Sequence, residues 1–134
     1  MSAFQTFLSG LSGPVYAIFR IITGLLFMSH GTQKLLGFPS EFTFGLNPMS
    51  IAAGGIELVG GFLIVIGLFT RPTAFISSGM CAVGYWLAHG FNSFFPIDNG
   101  GEVIALYCFI FLVIATQGPG IWSFDSALKS KDKV

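Results

Sequence analysis

Four apolar stretches, each close to the length of a membrane-spanning helix, constrain the fold of this chain most strongly. They run over residues 15–36, 49–69, 72–88 and 101–117. A helix needs about 17 to 25 residues to cross the hydrocarbon core. The connector Thr70-Arg71-Pro72 is so short that the helices beside it must be antiparallel neighbours. The sequence therefore predicts an all-α fold, an integral membrane antiparallel four-helix bundle, formed as one domain over residues 1–134.

The composition agrees with a membrane protein. Hydrophobic residues make up 53% of the chain and charged residues only 9%, whereas soluble domains average about 25% charged residues. The net charge is zero, so nucleic acid is not expected as a partner. The first apolar stretch is too long and too polar for a cleaved signal peptide, and we expect it to be retained. Segment 2–12 is predicted to lie along the membrane interface as a short amphipathic piece.

The distribution of lysine and arginine predicts the orientation of the bundle. Arg71 lies in the second connection, and loops 37–48 and 90–100 contain no lysine or arginine. Three further lysines follow the fourth stretch: Lys129, Lys131 and Lys133. With four spans these basic segments share one side, which the positive-inside rule makes cytoplasmic. We therefore expect both termini in the cytoplasm.

Ionisable side chains lie inside or at the ends of the apolar stretches. They are Arg20, His30, Lys34, Glu57 and Glu102. A charge in hydrocarbon costs about 2.5 to 3.5 kcal/mol on insertion scales, so such groups normally face a bundle interior or a wet cavity. The helical rise places His30 and Glu57 at similar depth, with Arg20 deeper in the first helix. We predict a polar pocket that opens outward, with Arg20 beneath it.

Small residues accompany these polar groups at helical spacing. One face of the first helix carries Arg20, Gly24 or Phe27, Gly31 and Lys34, and one face of the second carries Gly54, Glu57, Gly60 and Gly61. Glycines let membrane helices approach closely. We predict that these two faces point into the bundle.

Each candidate residue has a functional and a structural interpretation. Arg20 and Glu57 contact a substrate or a quinone, or they belong to a buried pair or network that holds the helices in register. His30 is a proton relay or a core histidine bonded to Glu57 or to a carbonyl. Glu102 either favours the dipole at the start of its helix or closes the pocket opposite Lys34 or His30.

Cofactor and metal sites have little support in the sequence. Cys81 and Cys108 are outside a Cys-x-x-Cys motif and are predicted as small core residues, with a redox pair as the alternative. The sequence indicates only weakly a haem with His30 and His89 as its axial ligands. No compact ligand spacing such as His-x-x-x-His predicts a metal site. The sequence therefore indicates no cofactor bound by this chain other than a quinone, and electron transfer would need a partner subunit that carries the redox group.

Three motifs of this chain resemble the DoxX family. They are R-x3-G-x5-HG-x2-K-L-x-G over 20–37, GG-x-E-x2-GG-x5-GLFTRP over 54–72, and NGGE over 99–102 followed by a polar and aromatic segment at 118–125. The resemblance implies a small four-helix protein of the bacterial inner membrane. The family resembles the membrane subunit of a thiosulfate:quinone oxidoreductase, other members are linked to thiol and oxidative-stress complexes, and wider relatives are membrane chaperones or cargo receptors.

Together these features predict a small membrane subunit of a redox system, either quinone-linked or thiol-linked. Its pocket would take a quinone, a lipid or another small molecule. Arg20 and Lys34 would supply hydrogen-bond donors, Glu57 a counter-charge or proton acceptor, and His30 a proton relay, while Asn99 and Glu102 would shape the rim. The expected partners are the lipid bilayer and a larger membrane complex or a second copy. The alternative is a non-catalytic structural or assembly subunit, or a membrane chaperone.

Overall fold

The computed structural model describes residues 2–131, and all regular structure within that range is helical. The helices are α1 (Ala3–Gly10), α2 (Ser12–Leu36), α3 (Pro48–Ile66), α4 (Thr70–Tyr85), α5 (Pro96–Asn99), α6 (Glu102–Gln117) and α7 (Phe124–Lys131). The prediction of an all-α fold is confirmed, and the four apolar stretches coincide with α2, α3, α4 and α6. Lys133 lies outside the described residues.

Local sequence signals set the helix boundaries. Asn47 and Ser50 form a reciprocal capping box at the start of α3, and Pro48 follows in the first turn, where its missing N–H is not needed. Helix α2 ends at Gly37 (φ +64°) and α3 ends at Gly67 (φ +68°). Both glycines adopt the left-handed conformation that commonly terminates helices.

Two of the long helices include a turn of π-helix. Residues Ile56–Gly60 form such a turn within α3, and Trp86–Gly90 form another that extends α4. Turns of this type are rare and frequently mark functional sites. Glu57 lies in the first turn and His89 in the second.

Helices α2 and α3 are antiparallel and touch through glycines. A Cβ on Gly31 would overlap Leu58 N and would lie 2.8 Å from Gly54 O. A Cβ on Gly24 would lie 2.8 Å from Gly61 O. Only glycine permits so close an approach of two helix backbones. The prediction that these glycine faces point inward is confirmed.

Helices α4 and α6 form a second antiparallel pair. Ser78 Oγ donates to Cys108 O at 2.7 Å near the middle of the pair. At one end, Arg71 Nη1 donates to Ala115 O at 2.9 Å and to Thr116 O at 2.6 Å. These carbonyls lie in the last turn of α6, where they lack partners within the helix. Arg71 therefore caps α6 from the start of α4.

The buried apolar core draws on both helix pairs. It consists of Phe27, Ile64, Ala74, Cys81, Phe111 and Ile114. The rings of Phe27 and Phe111 meet edge to face with centroids 4.5 Å apart. Cys81 is thus a core residue, as predicted. Within residues 2–131 both cysteines are free thiols.

The exposed faces of the long helices are apolar, while the interior holds polar groups. Exposed apolar side chains include Ile18, Leu26, Phe62, Phe75, Val83, Leu106 and Phe109. Buried polar side chains are Arg20, Thr23, Glu57, Thr70, Thr73, Ser77 and Ser78. Soluble proteins rarely expose contiguous apolar surface of this kind. By length and composition α2 and α3 can each cross a membrane, and α6 is a shorter apolar helix; four membrane spans stay a prediction.

The short helix α7 is fastened to the turn between α3 and α4. Asp125 Oδ1 accepts from Phe69 N and Oδ2 from Thr70 N, both at 2.9 Å. Asp125 N donates to Gly67 O at 2.9 Å. Partial burial raises the pKa of the Asp125 carboxyl, but these amide hydrogen bonds and the charge of Lys129 outweigh it and leave the pKa below its ordinary value.

Candidate functional site: a polar cavity among the four long helices

A cavity of about 260 Å³ lies among α2, α3, α4 and α6. Its lining residues are Phe27, His30, Lys34, Glu57, Met80, Cys81, His89, Gly100, Val103, Ile104 and Tyr107. Of the predicted site residues, His30, Lys34 and Glu57 meet here. Most of the remaining wall is apolar or aromatic. The cavity therefore combines a few polar groups with a hydrophobic enclosure, which is typical of small-molecule sites.

Lys34 and Glu57 form an ion pair between α2 and α3 on the cavity wall. Lys34 Nζ donates to Glu57 Oε1, and the two side chains are 18% and 9% exposed, respectively. Glu57 Oε2 is buried and accepts no hydrogen bond from any residue in the range 2–131. An unsatisfied buried polar atom costs about 1 to 3 kcal/mol. Because Glu57 lines the cavity, this oxygen is an acceptor of the site that lacks a donor.

His89 lines the cavity and makes a hydrogen bond that fixes its tautomer. Its Nδ1 lies 2.9 Å from Asn99 O. A carbonyl oxygen can only accept, so Nδ1 carries the hydrogen, and Nε2 of the neutral ring is an acceptor. Glu57 and His89 are therefore two lining residues that each carry a hydrogen-bond acceptor.

Asn99 holds His89 in place from outside the cavity lining. Its Nδ2 donates to Tyr85 Oη at 3.0 Å and to Ser93 O at 2.9 Å. Its Oδ1 accepts from Gly101 N at 2.7 Å. These bonds tie the loop before α6 to the end of α4. Asn99 thus acts on the cavity through His89 and through the fold of this loop.

His30 lies at the cavity with its side chain exposed. Its ring meets Tyr107 edge to face, with centroids 5.9 Å apart. The interpretation of His30 as a buried core histidine is therefore wrong. The residue sits one turn before Lys34 on the face that α2 presents to the cavity.

Arg20 lies away from the cavity, beside the far end of α3. It is completely buried, and its Nη1 donates to Ile64 O at 2.6 Å and to Val65 O at 2.8 Å. Its Nη2 donates to Trp122 O at 2.7 Å. The first two carbonyls are in the last turn of α3, at the negative end of the helix dipole. The Arg20 guanidinium thus donates to backbone carbonyls and does not pair with Glu57. This supports the structural interpretation of Arg20.

Glu102 is the first residue of α6, and its side chain is exposed. The neighbouring Gly100 and Val103 line the cavity, whereas Glu102 does not. An acidic residue in the first turn stabilises the helix dipole. The geometry therefore supports this interpretation of Glu102 over closure of the pocket.

Four further residues line the cavity although the predicted site does not include them: Met80, Cys81, His89 and Tyr107. Cys81 and His89 are eight residues apart, which at 100° per residue leaves them about 80° apart around the helix axis, so helical spacing does not predict that both reach the cavity. Met80 and Tyr107 carry no signal either, because an apolar or aromatic residue in a membrane-like helix faces lipid as readily as a cavity. In the described part of the chain, no group of three or more His, Cys, Asp or Glu residues could hold a metal ion.

Comparison with known proteins assigns this sequence to a family. The sequence profile of DoxX matches residues 15–90, a range that contains His30, Lys34, Glu57, Cys81 and His89. An uncharacterized protein of Haemophilus influenzae is 42% identical over 122 residues, which cover 86% of this chain and 91% of the relative.

More distant relatives have names that indicate a location or an activity. Inner membrane protein YqjF of Escherichia coli is 29% identical over 127 residues, covering 84% of this chain and 90% of that protein. The putative oxidoreductase CatD of Bacillus subtilis is 39% identical over 59 residues, covering 40% of this chain and 44% of that protein. No solved structure matches the chain significantly. From the profile match and the Haemophilus relative, this chain belongs to the DoxX family.

Proposed function

We propose that the protein is a bacterial inner-membrane subunit of a redox system and that its central cavity binds a small molecule. The apolar exposed faces of the long helices and the name of the E. coli relative support the membrane location. In this proposal α2, α3, α4 and α6 span the bilayer as an antiparallel bundle. Arg71, Lys129 and Lys131 then lie on the cytoplasmic side with both termini, and the cavity opens to the other side.

The observation that carries the proposal is the buried Glu57 Oε2, which has no hydrogen-bond donor among the described residues. Buried polar atoms in native proteins are almost always satisfied. The same carboxylate already neutralises Lys34 through its other oxygen. A ligand that donates a hydrogen bond would complete the site, whereas a purely structural ion pair does not need a cavity beside it.

The chemistry of the lining defines the class of ligand. Phe27, Tyr107 and Met80 offer aromatic and sulfur contacts, and Glu57 with His89 offers two acceptors. An apolar cavity of about 150 Å³ binds benzene, so the cavity here suits one substituted ring. The proposed ligand is a small aromatic compound with hydroxyl donors, such as the head-group of a reduced quinone. An oxidised quinone presents only acceptors: it can accept from Lys34 but leaves Glu57 Oε2 without a donor.

A redox role would make Glu57 and His89 proton acceptors. Oxidation of a quinol to a quinone releases two protons and two electrons. Glu57 and His89 would accept the protons, and a flavin- or haem-containing partner subunit would accept the electrons. The name of CatD, putative oxidoreductase, supports this class of activity, although its match covers 40% of this chain.

Purification from native membranes tests the proposal. Wild-type protein and the isosteric Glu57→Gln variant are purified in mild detergent, and their bound small molecules and partner proteins are identified by mass spectrometry. We expect a stoichiometric quinol or phenolic compound on the wild type and its loss from the variant. Wild-type protein that carries lipid alone would contradict the proposal.

A structural or assembly role is the second candidate, and Arg20 favours it. This buried guanidinium joins α2, the end of α3 and the segment before α7, so part of the intramembrane charge holds the fold. Glu57→Gln, whose amide oxygen still accepts from Lys34, separates the two candidates. The binding proposal predicts an inserted, folded protein without its ligand, and the structural one predicts loss of the fold or of partner binding.

A further inference from the structure

A second cleft, of about 310 Å³, lies between α7 and the first turn of α4. One part of its wall is apolar and consists of Phe69, Pro72, Pro119 and Leu128. The other part carries two cations, Arg71 and Lys129. This cleft is at the opposite end of α3 from the capping box at Asn47, and it is separate from the central cavity.

Both cations remain available to an anion. Arg71 and Lys129 are exposed. The guanidinium of Arg71 is held by the carbonyls of Ala115, Thr116 and Gln117, which carry only the partial negative charge of a helix end and no formal charge. Arg71 is therefore a fixed positive charge at the cleft.

The acidic residue of the cleft is Asp125, so the lining carries two cations and one carboxylate, a net charge of +1. Both carboxylate oxygens of Asp125 accept backbone amide hydrogen bonds, from Phe69 and from Thr70. The same hydrogen bonds anchor α7 and so fix Lys129 relative to Arg71. The cleft is thus a preformed structure in which the two cations flank an apolar wall.

We propose that this cleft binds the head-group phosphate of an anionic phospholipid, with Arg71 and Lys129 as the cationic contacts. The apolar wall would contact the upper part of an acyl chain. The inference rests on the proposed membrane placement of the long helices and does not depend on what the central cavity binds. In that placement the cleft lies where α3 and α6 leave the bilayer, at the depth of the lipid head-groups.

The charge distribution supports this choice of ligand. The loops at the other end of the bundle, 37–48 and 90–100, contain Glu41 and Asp98 and no lysine or arginine. An anionic lipid is therefore attracted to the end with the cleft. The exposed Trp122 at the same end is of a type that anchors proteins at the membrane interface.

The test compares two lysines on one helix. Lys129 lines the cleft, whereas Lys131, two residues later, does not. The full-length wild type and the variants Lys129→Gln and Lys131→Gln are purified in detergent and titrated with phosphatidylglycerol or phosphatidylcholine. Bound lipid is counted by native mass spectrometry. Thermal unfolding checks that each variant is folded.

We expect the wild type to retain one phosphatidylglycerol in preference to phosphatidylcholine. Lys129→Gln should weaken that binding by roughly fivefold, the effect of one lysine near an anionic surface, and Lys131→Gln should leave it unchanged. Equal losses in both variants would indicate diffuse attraction and overturn the site. Three other results would also overturn the site. They are equal binding of the two lipids, displacement of the lipid by soluble glycerol phosphate alone, and a partner protein that occupies the cleft in place of lipid.

Discussion

Lys34 and Glu57 form an ion pair that joins two helices at the wall of a cavity, and they leave one buried carboxylate oxygen without a donor from residues 2–131. The pair shields the charge of each partner from the surrounding apolar helices. The remaining oxygen is an unsatisfied acceptor on a residue that lines the cavity. One pair thus serves both the stability of the α2–α3 contact and the proposed binding of a ligand.

Removing only one partner of this pair should destabilise the protein. Lys34→Met leaves the Glu57 charge buried without a counter-charge, and breaking a buried pair costs about 3 to 5 kcal/mol. Because Lys34 is partly exposed, we expect the low end of that range. Unfolding in detergent by chemical denaturant measures it. The double variant Lys34→Met with Glu57→Leu should recover most of the stability, and a double variant no better than the single one would refute the assignment.

Arg20→Lys should lower stability much more than the matched change Arg71→Lys. Both arginines cap the end of a helix through backbone carbonyls, but Arg20 is completely buried and Arg71 is exposed. A lysine cannot span the carbonyls of Ile64 and Trp122, and each unsatisfied buried group costs about 1 to 3 kcal/mol. An exposed interaction is worth about 0 to 1 kcal/mol. Equal decreases in the unfolding temperature of the two variants would contradict the buried hydrogen bonds described for Arg20.

Gly31→Ala should weaken the contact between α2 and α3. Its new methyl group would overlap the backbone of Leu58, and overpacking of this kind costs about 1 to 3 kcal/mol. Gly55→Ala is the control, since a Cβ there meets nothing within 4 Å. That control should be neutral or slightly stabilising. The unfolding temperatures of both variants, measured in one detergent, test this prediction. A Gly31→Ala protein as stable as the wild type would show that the two helices are further apart than described.

Asp125→Asn should destabilise the junction of α7 with α4 and remove an acid-sensitive part of the stability. The carboxylate accepts two amide bonds at the start of α4, and loss of a helix cap costs about 1 kcal/mol. Its pKa in the folded protein is below the ordinary value. The stabilisation is therefore complete above the ordinary pKa of about 3.9 and disappears as the pH falls through the folded pKa.

Unfolding measured between neutral pH and pH 3 tests this prediction. The difference between the wild type and Asp125→Asn should be largest at neutral pH and should shrink in acid. A constant difference over this range would mean that the carboxylate charge does not contribute.

The helices and their inward faces could be predicted from the sequence because each rests on a strong local signal. Apolar length placed α2, α3, α4 and α6, and the glycines at 24, 31, 54 and 61 identified the closest helix contact. The insertion cost of charge identified His30, Lys34 and Glu57, which all reach the cavity.

The partners of these charges could not be predicted, because they depend on geometry that spacing does not encode. Arg20 was expected beneath the pocket, yet its guanidinium binds the carbonyls that end α3, and backbone acceptors have no sequence signature. The π-helical turns at Glu57 and His89 shift the helix phase from the ideal 100° per residue. His89 owes its role as an acceptor to Asn99 O, a contact across a loop.

The most direct test of the central claim is the binding of a quinol and of the matching quinone to the purified protein. Decylubiquinol and decylubiquinone are titrated separately into the wild type and Glu57→Gln. In the variant, the amide oxygen stays on Lys34 and the amide nitrogen, a donor, replaces the free acceptor. The wild type should prefer the quinol by about tenfold or more, as expected for one hydrogen bond to a charged group, and Glu57→Gln should lose or reverse that preference. Equal binding of the two forms by the wild type, or an unchanged preference in the folded variant, would contradict the account.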